Sequence, residues 1–292
     1  MFQLQSFLGI SLPLLASFAN AAPAIESRQS AATQVVRIAS LENIAVRSNG
    51  QILATNMNSN NLYAVNPTAK TSSTAIQVTG ATGLSGIGEY APDLFAVIGG
   101  KGIYKVDFTG ATPKSSLIKT ITEANNLNGL AVLDNSTVLV ADAGKGSVYR
   151  FDVNTGAYSE TIKDPTMAPS GGIPFGIDGI KVHENVLWYT NIFRNSFHKV
   201  TIDPVTAKAV GSVTTLWTNL MGDDLCVGPN GKIYIATNGR NSLVEVDPKD
   251  PKPTSIASVT GSTACAFGRT EADKNVAYVS AGQGVFAVTI KA

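Results

Sequence analysis

A chain of 292 residues in which 44% are hydrophobic and only 15% charged has the means to bury a large core. Its length suits one sizeable all-β domain better than two average ones. The net charge is +1, with no long basic or acidic run, which argues against nucleic acid and against an anionic membrane as partners and leaves small molecules as the expected ones.

From the N-terminus, Phe7–Ala19 is an apolar run too short to span a bilayer, and Ala19-Asn20-Ala21 follows it with the small-x-small pattern of a cleavage site. Residues 1–21 therefore read as a signal peptide for the secretory pathway or export, and residues 22–33 as a flexible leader. The folded domain is expected over residues 34–292.

Within that domain a short pattern recurs six times. Glu42, Ser85, Asn128, Asp178, Asp223 and Ser262 each open an apolar stretch (ENIAV, SGIGE, NGLAV, DGIKV, DDLCV and STACA), at separations of 43, 43, 50, 45 and 39 residues. A turn and a second apolar run follow each anchor, such as VLVAD (Val138–Asp142) or KIYIATN (Lys232–Asn238), and then a third, such as LYAVN from Leu62 or VYRFD from Val148. Periods of about 40–45 residues with several short strands in each are the sequence sign of a β-propeller, and the six repeats predict six blades. Outer strands are expected at Ala75–Thr79, Ser116–Ile121, Tyr158–Lys163, Ser212–Trp217 and Ser255–Val259. The sixth repeat ends after its third strand. Thr33–Ala39 (TQVVRIA) is expected to complete it, closing the ring by pairing two sheet edges that would otherwise be exposed. A ring closed in this way has no obligatory partner chain, so a monomer is expected.

Propeller symmetry brings the six anchors to one axis. Antiparallel strands then carry Asn56, Gly99, Asp142, Asn191, Asn238 and Ser280 to the same mouth, rimmed by loops at Met57–Asn61, Ala143–Gly146, Ile192–Asn195 and Gly239–Asn241. The Gly- and Pro-rich segment Asp164–Ile177 is expected to lie over that mouth as a partial lid. Glu42, Asp178 and Asp223 place three carboxylates at the axis, with Asn128 as a neutral oxygen donor. Like charges at close range are costly unless one is protonated or a cation lies between them. An all-oxygen set suits a hard cation such as Ca²⁺ or Mg²⁺ rather than zinc; the other reading is a water-filled tunnel with solvated carboxylates. Asn128, Asp178, Asn191 and Asn238 are the candidate catalytic groups, and Ser85, Ser262, Phe175 and Phe193 the candidate substrate contacts.

Other chemistries find little support. There is no HExxH, CxxC, GxSxG or P-loop. Of the two histidines, His183 is expected in a turn and His198 on a third strand away from the mouth. Cys226 and Cys265 each stand three residues after their anchor in adjacent repeats, where a disulfide and two buried thiols are both open. Asn135-Ser136-Thr137 is an N-glycosylation sequon in an expected hairpin turn.

The anchors, with LENIAVRSNGQILATN (Leu41–Asn56), NGLAVLDNSTVLVADAGKGSVYRFD (Asn128–Asp152) and DDLCVGPNGKIYIATN (Asp223–Asn238), resemble the senescence-marker-protein/gluconolactonase-like superfamily of six-bladed propellers. The resemblance implies calcium-dependent lactonase activity in its enzymatic members. Glu42 would match their first-blade glutamate ligand, Asp223 the late aspartate before a Leu-Cys pair, and Asn128 or Asp178 an asparagine ligand. Where that family has glycine and proline after the glutamate, this chain has Asn43 and Ile44, and its Asp-Gly is here Asp223-Asp224. The LENIAVR opening and the signal peptide are similar to a secreted fungal branch that includes the hetero-Diels–Alderases of tropolone–sesquiterpenoid biosynthesis. Those enzymes join an o-quinone methide to a polyene such as humulene. Three functions are therefore in view: a pericyclase that needs no cofactor, a Ca²⁺-dependent lactonase, and a non-catalytic binding propeller.

Overall fold

Side chains along a strand point alternately to its two faces, so a strand that is apolar on both faces needs cover on both. Ile52–Asn56 and Thr137–Asp142 are such strands, and every residue in them is buried. In the computed structural model, which describes residues 26–27 and 30–291, the cover comes from neighbouring blades. Ile52 and Ala54 pack to one side with Tyr278 of the last blade, and Leu53 packs to the other with Phe95 and Val97 of the second. Repeated around the ring, this gives six antiparallel sheets with a wedge of apolar side chains between each adjacent pair. The architecture is the six-bladed β-propeller that the repeat spacing predicts.

Blade one consists of Leu41–Val46, Ile52–Asn56, Asn61–Asn66 and Thr71–Gln77 in spatial order. The inner strands of the next five blades are Leu84–Ala91, Leu127–Val132, Ile177–His183, Leu225–Val227 and Ser262–Phe267. His183 is thus the last residue of a strand, not part of a turn. The hairpins turn where the sequence supplies positive-φ residues, as at Gly231 (φ 72°) in Pro229-Asn230-Gly231. Among the described residues the helical content is two single 3₁₀ turns, Pro165–Met167 and Asn238–Arg240, and no helix is long and apolar enough to cross a membrane.

The ring closes as expected. Ala32–Val36 pairs antiparallel with Gly284–Thr289 and supplies the outer strand of blade six. The strand stops at Val36 rather than Ala39 because the chain turns through Ser40 (φ 59°) into the first inner strand. The leader at residues 22–33 is not uniformly free: Glu26–Ser27 pairs in parallel with Pro253–Ser258 at the edge of blade five, and the Ser30 amide donates to the Ile256 carbonyl at 2.6 Å. The signal peptide expected at 1–21 lies outside the described residues. In blade one the outer strand begins at Thr71, ahead of the expected Ala75, because its first four residues are exposed and polar and carry no apolar signal.

Cys226 and Cys265 form a disulfide across the inner strands of blades five and six, with Cα atoms 5.5 Å apart. The bridge encloses a 39-residue separation, and constraining the unfolded chain over a loop of that size stabilises by about 2–4 kcal/mol. Replacing both cysteines with serine is therefore expected to lower the melting temperature by several degrees in differential scanning calorimetry. An unchanged melting temperature would show that the bridge does not stabilise the fold.

Candidate functional site

The site is shaped by how closely the inner strands meet at the axis. In blades two, three and four the residue after the anchor is glycine. A Cβ at Gly86 would stand 2.6 Å from the Asn128 carbonyl oxygen, one at Gly129 2.1 Å from the Asp178 carbonyl oxygen, and one at Gly179 2.3 Å from Asp224 Cα. No other residue permits that approach without backbone movement. In blades one, five and six the corresponding residues are Asn43, Asp224 and Thr263; Asp224 lies against Gly179, and Thr263 Oγ1 donates to the Leu41 carbonyl at 3.3 Å. Asn43 Nδ2 donates to Asp224 Oδ2 at 2.5 Å, and Lys181 Nζ donates to both Asp224 oxygens at 2.9 and 3.1 Å and to the Leu130 carbonyl at 3.2 Å. This cross-tie joins blades one, three, four and five behind the anchor ring.

In front of the cross-tie, Glu42, Asn128, Asp178 and Asp223 are all buried. Asn128 Nδ2 donates to Asp178, and Asn238 Nδ2 donates to Asp223 Oδ2 at 3.0 Å. Thr190 Oγ1 donates to the Asp223 carbonyl at 2.5 Å, fixing the backbone of that anchor. Burial, then the charge of Asp224, pushes the Glu42 carboxyl up to about 7, against the opposing hydrogen bond from Asn128. Burial first, and then the neighbouring carboxylates, also hold Asp178 and Asp223 well above the usual carboxylate range. Burial thus favours the protonated forms of these three carboxyls, and the Lys181 ammonium beside them is paired with Asp224.

An ion held by Glu42, Asn128, Asp178 and Asp223 would need their oxygens to converge on one point. Among the described residues no group of three or more His, Cys, Asp or Glu side chains is so placed. Asn128 turns an N–H, not its oxygen, toward Asp178.

The mouth opens unevenly. A cavity of about 230 Å³ lies over blades two and three, lined by Ser85 and Asn128 at its floor and by Met57, Gly83, Gly100 and Phe175 at its walls. It forms there because blade two presents small residues to the mouth. Phe175 meets Phe193 edge to face, with ring centroids 5.7 Å apart. Phe175 lies on the segment expected to act as a lid. That segment is fastened at its base by buried Met167, by two Asn191 Nδ2 bonds to the Thr166 and Ala168 carbonyls at 2.9 and 3.1 Å, and by Gly176 N–H to the Ala143 carbonyl at 2.7 Å.

Ser85, Asn128 and Phe175 therefore share one pocket, with Phe193 against its rim and Asp178 directly behind Asn128. Two expectations need correcting. Asn191 does not face the mouth as a donor, because both of its amide hydrogens are spent on the lid segment. Ser262 is fully buried and donates to the Ser242 carbonyl at 3.2 Å, so it offers no substrate contact. Asn238 reaches the cluster only through Asp223. His198 is buried with Nε2 at 2.7 Å from Ser196 Oγ, and burial lowers its pKa to about 4, consistent with a structural role. Asn135 is exposed in its hairpin turn. Sequence reasoning missed Lys181 and Arg194; for Asn43 and Asp224 the signal was present in the departures from the related pattern.

A closed six-bladed propeller with a polar floor and an aromatic rim at one mouth is the class of protein that this geometry defines. Comparison with known proteins is consistent with it. No family model matches the chain. A protein of Phoma sp, provisionally named a hetero-Diels–Alderase, is 29% identical over 296 residues, covering 82% of each chain. A second with the same provisional name, from Sarocladium schorii, is 26% identical over 250 residues, covering 67% of this chain and 62% of that one. These similarities bear out the resemblance drawn from the motifs. Among solved structures, a calcium-binding regucalcin from Agrobacterium tumefaciens superposes with a TM-score of 0.70 at 14% identity, covering 90% of this chain and 96% of that one. A luciferin-regenerating enzyme superposes with a TM-score of 0.67, also at 14% identity, covering 87% and 92%. At such identities the structural likeness establishes the fold alone.

The buried carboxyls have a consequence for stability. A carboxyl raised in the folded state binds its proton more tightly there than in the unfolded chain. Its contribution is most favourable at low pH and is lost as pH climbs from the unfolded value of 4.5 through the folded value of about 7. For Glu42 the loss amounts to about 3 kcal/mol by pH 8, and Asp178 and Asp223 act in the same direction. The melting temperature is therefore expected to fall between pH 5 and pH 8, and Glu42→Gln to flatten that fall. A melting temperature that rises over this range, or an identical slope in the variant, would refute the assignment.

Proposed function

We propose that the chain is a pericyclase that catalyses a hetero-Diels–Alder cycloaddition between an o-quinone methide of the tropolone type and a terpene polyene. The observation that carries this reading is the alignment to two proteins provisionally named hetero-Diels–Alderases, one across 82% of both chains. The pocket gives it a physical basis. The reaction forms one C–O and one C–C bond together, as the oxygen and exocyclic carbon of the heterodiene add across an alkene. It needs neither a nucleophile nor a net proton. What lowers the barrier is holding two partners in a near-attack arrangement and donating a hydrogen bond to the heterodiene oxygen, which makes the diene a better electron acceptor.

In this reading the Ser85 hydroxyl donates to the quinone-methide oxygen, and Asn128, whose amide hydrogens are engaged by Asp178 and Glu42, forms the polar floor beside it. Asp178, hydrogen-bonded to Asn128, fixes the carboxamide from behind. Phe175, Phe193 and Met57 cover the hydrocarbon partner and keep water from adding to the quinone methide. Secretion, a glycan at Asn135 and action as a monomer on small molecules alone belong to the same proposal.

The test is to generate an o-quinone methide in the presence of humulene, with and without the purified protein, and to follow the adduct by chiral chromatography. The expected result is acceleration above background with one stereoisomer dominant, and a loss of about 10-fold or more in Ser85→Ala, with a smaller loss in Asn128→Ala, which frees the floor rather than removing the donor. A racemic adduct at the background rate would reject the reading. Lactone hydrolysis that is abolished by a chelator and restored by Ca²⁺ would replace it with the hydrolase.

A further inference from the structure

Of the large hydrophobic side chains exposed among the described residues, Leu117 and Val210 lie on outer strands and Val205 in a loop between blade strands, whereas Met57 lines the pocket with Phe175, Phe193 packs on Phe175, and Ile173 lies two residues before Phe175 on the same segment. Exposed apolar side chains at the edge of a pocket are candidates for contact with a ligand. The shape of this edge depends on residues 168–176. At the tip of this strap Gly171 and Gly172 have nothing within 4 Å of where a side chain would begin. Inside the tip, an isolated bridge joins Ser170 to Ile173.

Arg194 spans the gap between that strap and blade four. Its Nε donates to the Ala168 carbonyl at 2.9 Å and its Nη2 to the Pro169 carbonyl at 3.4 Å, while its backbone N–H donates to Asn191 Oδ1 at 3.3 Å. Arg194 directly follows Phe193, so one tight turn carries both the aromatic ring on one side of the mouth and the cation that grips the strap bearing the ring on the other. We infer that Arg194 is a positioning residue: by tying residues 168–176 to blade four it sets Phe175 against Phe193, and this pair forms the seat of the hydrocarbon partner. The hydrocarbon part of the inference rests on the cycloaddition reading; the tie itself does not. The side chain is exposed and touches no wedge of the core, so its loss changes the mouth and not the fold.

Hydrogen exchange of the full chain, read by mass spectrometry on peptides covering 168–176, tests the tie. Calorimetric titration with humulene alone tests the seat. In Arg194→Ala, exchange of those amides is expected to rise about tenfold relative to wild type and the dissociation constant for humulene to rise by a similar factor. The melting temperature should stay within about 2 °C, and Arg194→Lys, which keeps one donor, should recover part of both effects. Unchanged exchange in Arg194→Ala would overturn the tie. Faster exchange with an unchanged humulene affinity would overturn the seat. If wild type binds humulene but forms no adduct above background, the cycloaddition reading fails while the seat stands. If wild type does not bind humulene at all, the seat fails with it.

Discussion

Six strands cannot all bring side chains to one axis at the same depth. The chain meets this constraint by splitting the ring. Gly86, Gly129 and Gly179 let the inner strands of blades two to four approach their neighbours at backbone distance, and Asp224 of blade five lies against Gly179. Everything polar at the site follows from that division. Asp224 can reach Lys181 of blade four and Asn43 of blade one because no side chain on the glycine-bearing strands stands in the way. The anchors Glu42, Asn128, Asp178 and Asp223 are thereby held in a layer with hydrogen-bonded protein behind them.

That layer has a charge imbalance. Glu42, Asp178, Asp223 and Asp224 are buried together, and Lys181 is committed to Asp224 with two hydrogen bonds. A buried carboxylate without a partner neutralises itself by taking up a proton, and the raised affinities of the other three express this. Stability at neutral pH must come from elsewhere. The apolar wedges between blades provide most of it, and the Cys226–Cys265 bridge ties together the two blades next to the closure, where sequence-distant ends meet.

The fold was legible in the sequence because it is written locally and repeated. The anchors, the apolar second strands and the incomplete sixth repeat each occur within a few residues, and together they predict six blades and their closure. The outer strands were less legible. Thr71–Gln77 is exposed along most of its length, so no burial pattern marks where it starts. At the site, membership of the ring could be read from the anchors, but orientation could not. Asn191 occupies the position that symmetry assigns to a mouth residue, yet its carboxamide is captured by the Thr166 and Ala168 carbonyls of an insertion that only blade four carries. Asn43 and Asp224 are far apart in sequence and meet only because the ring brings blades one and five within reach. Asp224 could be noticed as a departure from the related pattern, but its partners could not be named.

The same departure bears on what the mouth can do. A glycine after Asp223, as the related pattern has, would place no carboxylate behind the ring and would leave Lys181 without its partner. With Asp224 there, a further carboxyl stands next to Glu42 and Asp178 and adds to the burial that raises both. Asp178 accepts from Asn128 and Asp223 from Asn238 in that layer. A floor of this kind holds Asn128 firmly and presents neutral polar contacts to the cavity, while Phe175 and Met57 supply its apolar wall. The combination suits a ligand with one polar acceptor and a large hydrocarbon surface better than it suits a charged substrate. Under the proposed cycloaddition, orientation and hydrogen bonding are what the mouth would contribute.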